Sequence, residues 1–275
     1  MDRLSDVLEL APLLKAKGEA FVLATVVRTV AATAAKAGAK AIIRADGSIS
    51  EGWIGGGCAR GAVLKAAREA LADGRARLIS VQPPDVLQEH GVAAGEEREG
   101  VRFLRNTCPS HGTMDIFIEP VLPRPQIVLC GSSPVAVAIA DLAPRLGFSV
   151  TACAPAAEQG AFTQVDRRID HYALPANEEG ERFIVVSTQS RGDEAALMAA
   201  LSTDARYVAF VGSRLKAQTL KAALSARGVD GRRLDALRAP AGLDLGAIGP
   251  EEIALSIIAE IVAFRRGRDP HGLQT

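Results

Sequence analysis

The chain has 275 residues, enough for one large domain or two ordinary ones that each bury an apolar core. Lysine plus arginine and aspartate plus glutamate number 32 each, so the sequence lacks the positive field of nucleic-acid and anionic-membrane binders. Its four cysteines lie far apart without CxxC spacing, which argues against a disulfide framework and against a zinc knuckle. We therefore expect no nucleic-acid partner and no bound metal of the zinc type.

The amino-terminal 20 residues have neither a basic start nor a continuous apolar stretch of the secretory kind. The most apolar stretches, Phe21 to Val27 and Ile253 to Phe264, are too short or too charged to cross a bilayer. These features predict a cytoplasmic protein with reduced thiols and no membrane contact.

The first part of the chain mixes helix and strand patterns. A helical repeat broken by Pro12 precedes a β-branched run, Phe21 to Arg28, that predicts a strand. A β-hairpin is predicted over Ala41 to Trp53, around an Asp46-Gly47 turn. A helix with an apolar stripe starting at Ala62 then follows a run of three glycines.

A domain boundary is predicted where prolines cluster. Residues Val81 to Thr107 show little apolar periodicity and are interpreted as a surface excursion. The strand predicted over Thr113 to Glu119 leads into a proline-rich stretch that favours extended backbone and excludes helix. The predicted domains are residues 1–122 and 126–275.

Beyond the boundary, apolar strands alternate with helices, which indicates a parallel sheet covered on both faces. The final helix has one apolar stripe and suitable charges at both ends. The predicted fold class is thus α/β: an N-terminal α/β domain with a glycine-rich loop, a Rossmann-like parallel-sheet domain and a C-terminal helix. The predicted strands are Ile127–Cys130, Ser149–Cys153, Phe183–Ser187 and Tyr207–Val211. Four helices are predicted: one begins near Pro134, one begins at Asp193, one ends at Arg227, and the last has its apolar stripe over Ile253–Val262.

The first candidate site is the run Gly55, Gly56, Gly57 and Cys58 at a strand-to-helix junction. Glycines let a ligand approach the backbone, and the free N–H groups of a helix start attract an anion. The same features favour a thiolate at Cys58, which could donate sulfur, accept it or bind a metal. The competing interpretation is a tight turn with a small buried cysteine.

Three other cysteines differ in setting. Cys108 precedes a Pro-Ser-His-Gly loop and could face the same cleft, or it could be a loop cysteine that is only near a turn. Cys130 and Cys153 lie inside apolar strands and are expected in the core.

The Rossmann-like unit opens on a degenerate phosphate-binding loop. Of the G-x-G-x-x-G/A pattern, only Gly131 and the final Ala136 match, and Ser133 replaces the glycine that admits a pyrophosphate. The second strand ends near Ala154 without the acid that binds a ribose hydroxyl or an arginine for a 2′-phosphate. NAD(P) binding is therefore not expected.

Later strand ends carry hydroxyls and a cation. Thr188, Ser213 and Arg214 follow predicted strands, where α/β sheets usually receive ligands. The alternative interpretation is that Ser190 and Ser213 cap helices while the basic side chains face solvent.

Between about Phe21 and Gly267 the sequence resembles the XdhC/CoxI family of molybdenum-hydroxylase accessory proteins. Three stretches carry the resemblance: Ile54–Cys58 continuing to Gly61-Ala62-Val63, Cys108 with Gly112–Pro120, and Ala239–Ala247 followed by Pro250–Ala254.

The resemblance implies a chaperone rather than an enzyme. Such a protein would bind the molybdenum cofactor transiently, as molybdopterin or its cytosine dinucleotide, support its sulfuration by a cysteine desulfurase, and deliver it to an apo molybdenum hydroxylase of the xanthine or carbon monoxide dehydrogenase type. A homodimer is also expected. Sulfur chemistry is assigned to Cys58 and Cys108, and cofactor binding to Arg28, Lys36, Gly55, Gly56, Gly57, Cys58, Gly131, Ser133, Thr188, Ser213 and Arg214.

The sequence departs from the family pattern in places. Where the family usually reads R-T-x-G-S-x-P-R-x-x-G, Arg28 to Gly38 lack the small turn residues, the proline and the second arginine. Lys36 keeps a charge nearby but not the bidentate geometry of arginine. Arg60 and Ser133-Pro134 also depart from the usual residues. Two alternatives stay open: an NAD(P)-dependent oxidoreductase with a degenerate Rossmann loop, and a module that only docks on the hydroxylase.

Overall fold

The computed structural model describes residues 3–108, 111–176 and 180–268, without the side chains of residues 3–6 and of Cys58. The chain divides into two compact units, Met1–Pro123 and Arg124–Thr275. None of the helices in the described ranges combines the length and the apolar composition needed to cross a lipid bilayer.

The first unit is built on a seven-stranded mixed sheet in the order β3-β2-β1-β7-β4-β6-β5. Only β4 and β6 pair in parallel; the other neighbours are antiparallel. The strands are β1 Phe21–Val30, β2 Lys40–Arg44, β3 Ile49–Gly52, β4 Arg77–Gln82, β5 Glu97–Arg98, β6 Val101–Arg105 and β7 Thr113–Val121, and the helices are α1 Arg3–Lys17, α2 Gly57–Asp73 and α3 Pro84–Glu89.

Helix α2 covers one face of this sheet. It presents Val63 and three small residues, Ala66, Ala67 and Ala70, to buried strand residues such as Ile79 and Ile116. The small side chains let the helix lie close to the strands, so that the start of α2 is held firmly against the sheet. Helix α1 packs separately on β1 and β2 and continues through Pro12.

The expected surface excursion over Val81 to Thr107 is wrong. The region includes the end of β4, helix α3 and strand β6, which extends the sheet by pairing with β4. The apolar pattern of a strand is missing from β4, because two of its buried positions hold the polar residues Ser80 and Gln82. Each is only 1% exposed, and Gln82 donates a hydrogen bond to Ser80.

The second unit contains a five-stranded, fully parallel sheet in the order β10-β9-β8-β11-β12. The predicted α/β fold class, with its Rossmann-like sheet and C-terminal helix, is confirmed. The strands are β8 Gln126–Cys130, β9 Ser149–Ala154, β10 Arg167–Asp170, β11 Arg182–Val186 and β12 Tyr207–Phe210, and the helices are α4 Pro134–Leu142, α5 Asp193–Leu201, α6 Arg214–Ala226, α7 Gly231–Ala236 and α8 Pro250–Arg265.

Two apolar layers enclose this parallel sheet. Ile127 and Leu129 face α4 and α8, whereas Val128 and Cys130 face the side of α5, α6 and α7. Burial on both faces explains why the strands read as continuous apolar runs. Cys130 and Cys153, paired in register on β8 and β9, are fully buried, which confirms their expected place in the core.

A buried carboxylate lies on the inner face of α8. Glu260 is 1% exposed, and its Oε2 accepts hydrogen bonds from the Tyr207 hydroxyl at 2.8 Å and the Gly242 amide at 2.7 Å. Nη1 of Arg238, a residue that is itself buried, lies 4.0 Å from the other carboxylate oxygen, Oε1. One charged side chain thus joins a strand, a helix and the loop before α8.

Glu260→Ala should lower the free energy of unfolding by about 3–5 kcal/mol, since it removes the buried carboxylate that accepts from Tyr207 and Gly242 and faces the Arg238 guanidinium. Glu251→Gln, on the exposed first turn of the same helix, should cost less than about 1 kcal/mol. Urea unfolding of both variants tests this. Equal losses would contradict a special role for the buried carboxylate.

Candidate functional site

The glycine run forms an open turn in front of α2. Gly55 and Gly57 have positive φ values of 97° and 52°, which glycine adopts without strain, and Gly56 is the residue that precedes the helix. Gly56 and Gly57 are exposed, and a Cβ added to either would meet nothing within 4 Å. The backbone of this turn is therefore accessible to a ligand.

The amino end of α2 is electrostatically uncompensated. Among the described side chains none caps it, and its first turn holds no acidic residue. By contrast, Ser133 caps α4 and Ser213 caps α6. The first amides of α2 consequently keep their capacity to bind an anion. Cys58 is the second residue of this helix, and its side chain lies outside the described part of the structure, so its role stays a prediction.

Loop segments from three parts of the first unit meet at this edge of its sheet. A Cβ on Gly55 would lie 3.6 Å from Met114 Cε and 3.8 Å from Ala35 Cβ. Ala32 forms a β-bridge with His111, beside the loop of Cys108. The glycine turn, the segment containing Lys36 and the Cys108 loop thus share one edge.

The Cys108 loop is ordered by Asn106. The Asn106 side chain donates to the Gly112 carbonyl at 2.7 Å and accepts from the Cys108 amide at 2.9 Å. Gly112 must be glycine, because a Cβ there would lie 2.2 Å from the Ala32 carbonyl oxygen. Cys108 is exposed, and Pro109 and Ser110 lie outside the described residues. An exposed thiol is thereby held at the edge that carries the glycine turn.

Arg28 is held by a hydrogen-bonded chain that the sequence pattern does not predict. Its Nε donates to Asp115 at 2.5 Å, while Ser80 donates to the other carboxylate oxygen at 2.5 Å. Gln82 donates to Ser80 at 2.7 Å and contacts His90 at 3.1 Å. Arg28 lies on β1, Asp115 on β7, Ser80 and Gln82 on β4, and His90 just after α3. Pairing of the three strands brings Arg28, Asp115 and Ser80 together, and their positions in the sequence do not predict this contact.

The other predicted site residues lie in the second unit. Gly131 has a φ of 104°, and a Cβ there would lie 2.4 Å from the Ser187 carbonyl oxygen. Ser133 is 4% exposed; its hydroxyl accepts from the Ala136 amide at 3.1 Å and lies 2.6 Å from the Ser187 hydroxyl. Gly131 and Ser133 therefore serve contacts between β8, α4 and the end of β11.

The neighbouring strand end is also occupied by the protein's own side chains. Buried Thr188 donates to Asp193, and Lys216 forms an ion pair with the same carboxylate and a 2.8 Å hydrogen bond to Ser190. The order of strands reverses between β8 and β11, where such sheets usually bind dinucleotides. These contacts leave the hydroxyls there engaged within the protein.

The alternative interpretation, that Ser190 and Ser213 both cap helices, holds for Ser213 only. Ser213 does cap α6, accepting from the Lys216 amide at 3.3 Å. Ser190 does not cap α5, since Gly192 precedes that helix without a side-chain cap. Arg214, the first residue of α6, is exposed and has no hydrogen bond or ion pair with any described residue. Within the described ranges, no three His, Cys, Asp or Glu residues are placed to hold a metal ion.

Two family models match this chain. One, the XdhC and CoxI family, matches residues 14–82, and the other, the XdhC Rossmann domain, matches residues 127–261. The chain belongs to the XdhC and CoxI family. The first match contains the glycine turn and Arg28, and the second contains the parallel sheet of the second unit except Gln126, the first residue of β8.

Relatives of this XdhC-family chain are larger proteins. It is 30% identical over 243 residues to an uncharacterized protein, YqeB, of Escherichia coli strain K12, covering 86% of this chain and 42% of YqeB. It is 31% identical over 162 residues to a probable xanthine dehydrogenase subunit of Bacillus subtilis strain 168, covering 56% and 47%. The chain therefore spans less than half the length of these curated relatives.

A solved structure also aligns with the chain. The crystal structure of a xanthine dehydrogenase from Bacillus halodurans superposes with a TM-score of 0.46 at 18% identity, over 99% of this chain and 98% of the other.

Gly131→Ala tests whether this glycine serves packing. The substitution should cost about 3–5 kcal/mol of unfolding free energy, because backbone strain adds to an overlap with Ser187. Gly147→Ala is the matched control: its φ is also positive, 83°, but a Cβ there meets open space, so about 1–2 kcal/mol is expected. Thermal unfolding measures both, and equal losses would contradict the packing role.

Thiol reactivity should separate the cysteines. A hydrogen bond with Cys153, together with burial, holds the pKa of Cys130 well above its ordinary value, so the thiol stays protonated and unreactive. In a Cys58→Ala variant at pH 8, one thiol, that of Cys108, should react promptly with DTNB. Cys130 and Cys153 should react only after unfolding in guanidinium. Prompt reaction of more than one thiol in the folded protein would contradict this burial.

Proposed function

We propose that this XdhC-family chain binds the molybdenum cofactor as cargo at the glycine turn of its first unit and supports maturation of a molybdenum hydroxylase of the xanthine dehydrogenase type. The observation that carries the proposal is the uncapped, exposed amino end of α2, with a cysteine as its second residue. Family membership and the similarity to a probable xanthine dehydrogenase subunit support it.

The cofactor phosphate would bind at the start of α2. Exposed amides of the glycine turn can donate to phosphate oxygens, and the helix dipole favours a negative charge at that position. The open space beside Gly56 and Gly57 allows the phosphate to approach the backbone.

Arg28 is a second proposed contact for the cofactor, on the face of the sheet opposite α2, because its partner Asp115 alternates along β7 with Met114 and Ile116, which pack on the α2 side. Asp115 engages its Nε, while the side chain as a whole remains 57% exposed. A guanidinium fixed at one nitrogen and open at the others loses less freedom when it binds a phosphate. Asp115, supported by Ser80, is thus a positioning residue for Arg28.

The cysteines would contact the molybdenum end of the cofactor and take part in its sulfuration. A thiolate is a soft ligand that could bind molybdenum through sulfur. Cys58 is predicted to be a thiolate because it follows the helix start, and Cys108 is exposed on the neighbouring loop. Delivery to the apo-hydroxylase and sulfuration by a cysteine desulfurase belong to this proposal, with the chain acting as carrier and not as a turnover enzyme.

Pterin content tests the proposal directly. The full chain, purified from cells that make molybdopterin and then oxidised, should release a fluorescent pterin. Cys58→Ala and Cys108→Ala should reduce it, with Cys58→Ala lowering retention at least about tenfold, as expected for the loss of about 1.4 kcal/mol of binding. Cys153→Ala, a buried thiol of the second unit, is the control. A wild-type chain without pterin, or a Cys58→Ala variant that still activates the apo-hydroxylase fully, would refute the proposal.

The arginine contact has a matched pair. Arg28→Gln should weaken pterin retention about tenfold or more, since a charged hydrogen bond to the cofactor is lost. Arg75→Gln removes another exposed arginine just beyond the other end of α2 and should leave retention unchanged. Equal effects of the two substitutions would mean that only net charge matters.

A further inference from the structure

The stretch that most specifically resembles the family, Ala239 to Ala247, has no part in the first unit's site. In the second unit it forms a loop that walls a cavity of about 480 Å³. This volume falls within the range of about 300–1,000 Å³ that is usual for small-molecule sites. The remaining walls are the end of β12 at Val211 and Gly212, Arg214 on α6, and Ile253 and Ser256 on α8.

The loop is fixed at its base by three hydrogen bonds donated by its backbone amides, two to carbonyl oxygens and one to a carboxylate. The amide of Ala241 donates to Phe210 at 3.0 Å, that of Gly242 to Glu260 at 2.7 Å, and that of Leu243 to Ser256 at 3.3 Å. Gly242 cannot be replaced without movement, because a Cβ there would lie 2.3 Å from Ser256 Oγ. The cavity wall is thus preformed and does not require a ligand to order it.

The lining combines one cation, one carboxylate and apolar surface. Arg214 is exposed and unpaired among the described residues, whereas its neighbours Ser213 and Lys216 are engaged within the protein. Asp244 is exposed on the opposite loop, and Leu243 and Ile253 supply apolar area. A guanidinium that is free to bind suits a phosphate, and a carboxylate suits the N–H groups of a heterocycle.

The position of the cavity agrees with this chemistry. It lies at the carboxyl end of β12, on the edge of a parallel sheet where ligands bind. At the usual place on that edge, between β8 and β11, Gly131 packs against Ser187 and Lys216 forms an ion pair with Asp193. The cavity beside Arg214 lies farther along the same edge, where the guanidinium has no such partner within the described part of the chain.

We propose that this cavity binds a phosphorylated heterocycle, with the phosphate on Arg214, the ring against Leu243 and Ile253, and ring N–H groups donating to Asp244. A nucleoside monophosphate and a pterin phosphate share this chemistry. All residues that line this cavity belong to the second unit, and the inference does not depend on the proposed function.

Calorimetric titration of the full chain tests the site with five probes: adenosine, guanosine and cytidine 5′-monophosphates, a pterin phosphate and inorganic phosphate. At least one phosphorylated heterocycle should bind saturably and more tightly than inorganic phosphate, and the tightest probe identifies the source. Arg214→Gln should weaken that binding about tenfold or more. Arg232→Gln, an exposed arginine on α7, is the matched control and should have no effect.

Two further variants keep the result interpretable. Ala247→Trp should fill the cavity and abolish binding while thermal unfolding shows a folded protein. Cys58→Ala should leave binding unchanged, which separates this site from the cofactor site of the first unit. The proposal is overturned if no probe saturates at millimolar concentration, if inorganic phosphate binds as tightly as every heterocycle, or if Arg214→Gln, Ala247→Trp or Cys58→Ala departs from these expectations.

Discussion

The first amides of α2 are the feature on which the proposed function of this protein depends. In most helices a side chain at the start satisfies these groups, as Ser133 and Ser213 do in the second unit. At α2 the preceding residue is Gly56, which has no side chain and leaves both the hydrogen-bonding capacity and the helix dipole facing outward. The tight packing of α2 on the sheet holds this end of the helix in place.

The glycines of this chain serve two opposite purposes, which sequence alone does not distinguish. Gly56 and Gly57 border open space, so their missing side chains create room for another molecule. Gly131 and Gly242 instead lie where a Cβ would overlap protein atoms at 2.4 Å and 2.3 Å, so their missing side chains allow the chain to pack against itself. A glycine-rich pattern therefore predicts that other atoms approach the backbone closely, and only the structure shows whether protein atoms fill that space or leave room for a ligand.

Much of the fold could be predicted because its signals are local. The apolar runs of β8 and β11 and the stripe of α8 directly report burial on one or two sides. The hairpin of β2 and β3 follows from its Asp-Gly turn. Strand β4 was the hard case. Its buried Ser80 donates to Asp115, 35 positions away, and accepts from Gln82; no local pattern can reveal the distant partner.

The candidate site shows the same limit. The glycine turn and the Cys108 loop were recognisable because residue type and order carry their chemistry. The support of Arg28 by Asp115 was not, since the two residues meet only through the pairing of β1 with β7, 87 positions apart in the chain. The same holds for Glu260, whose carboxylate fixes the amide of Gly242 across 18 residues. In both units a buried or half-buried acid therefore holds a group of a proposed site in place, and the position of that acid follows from long-range geometry, which short motifs do not encode.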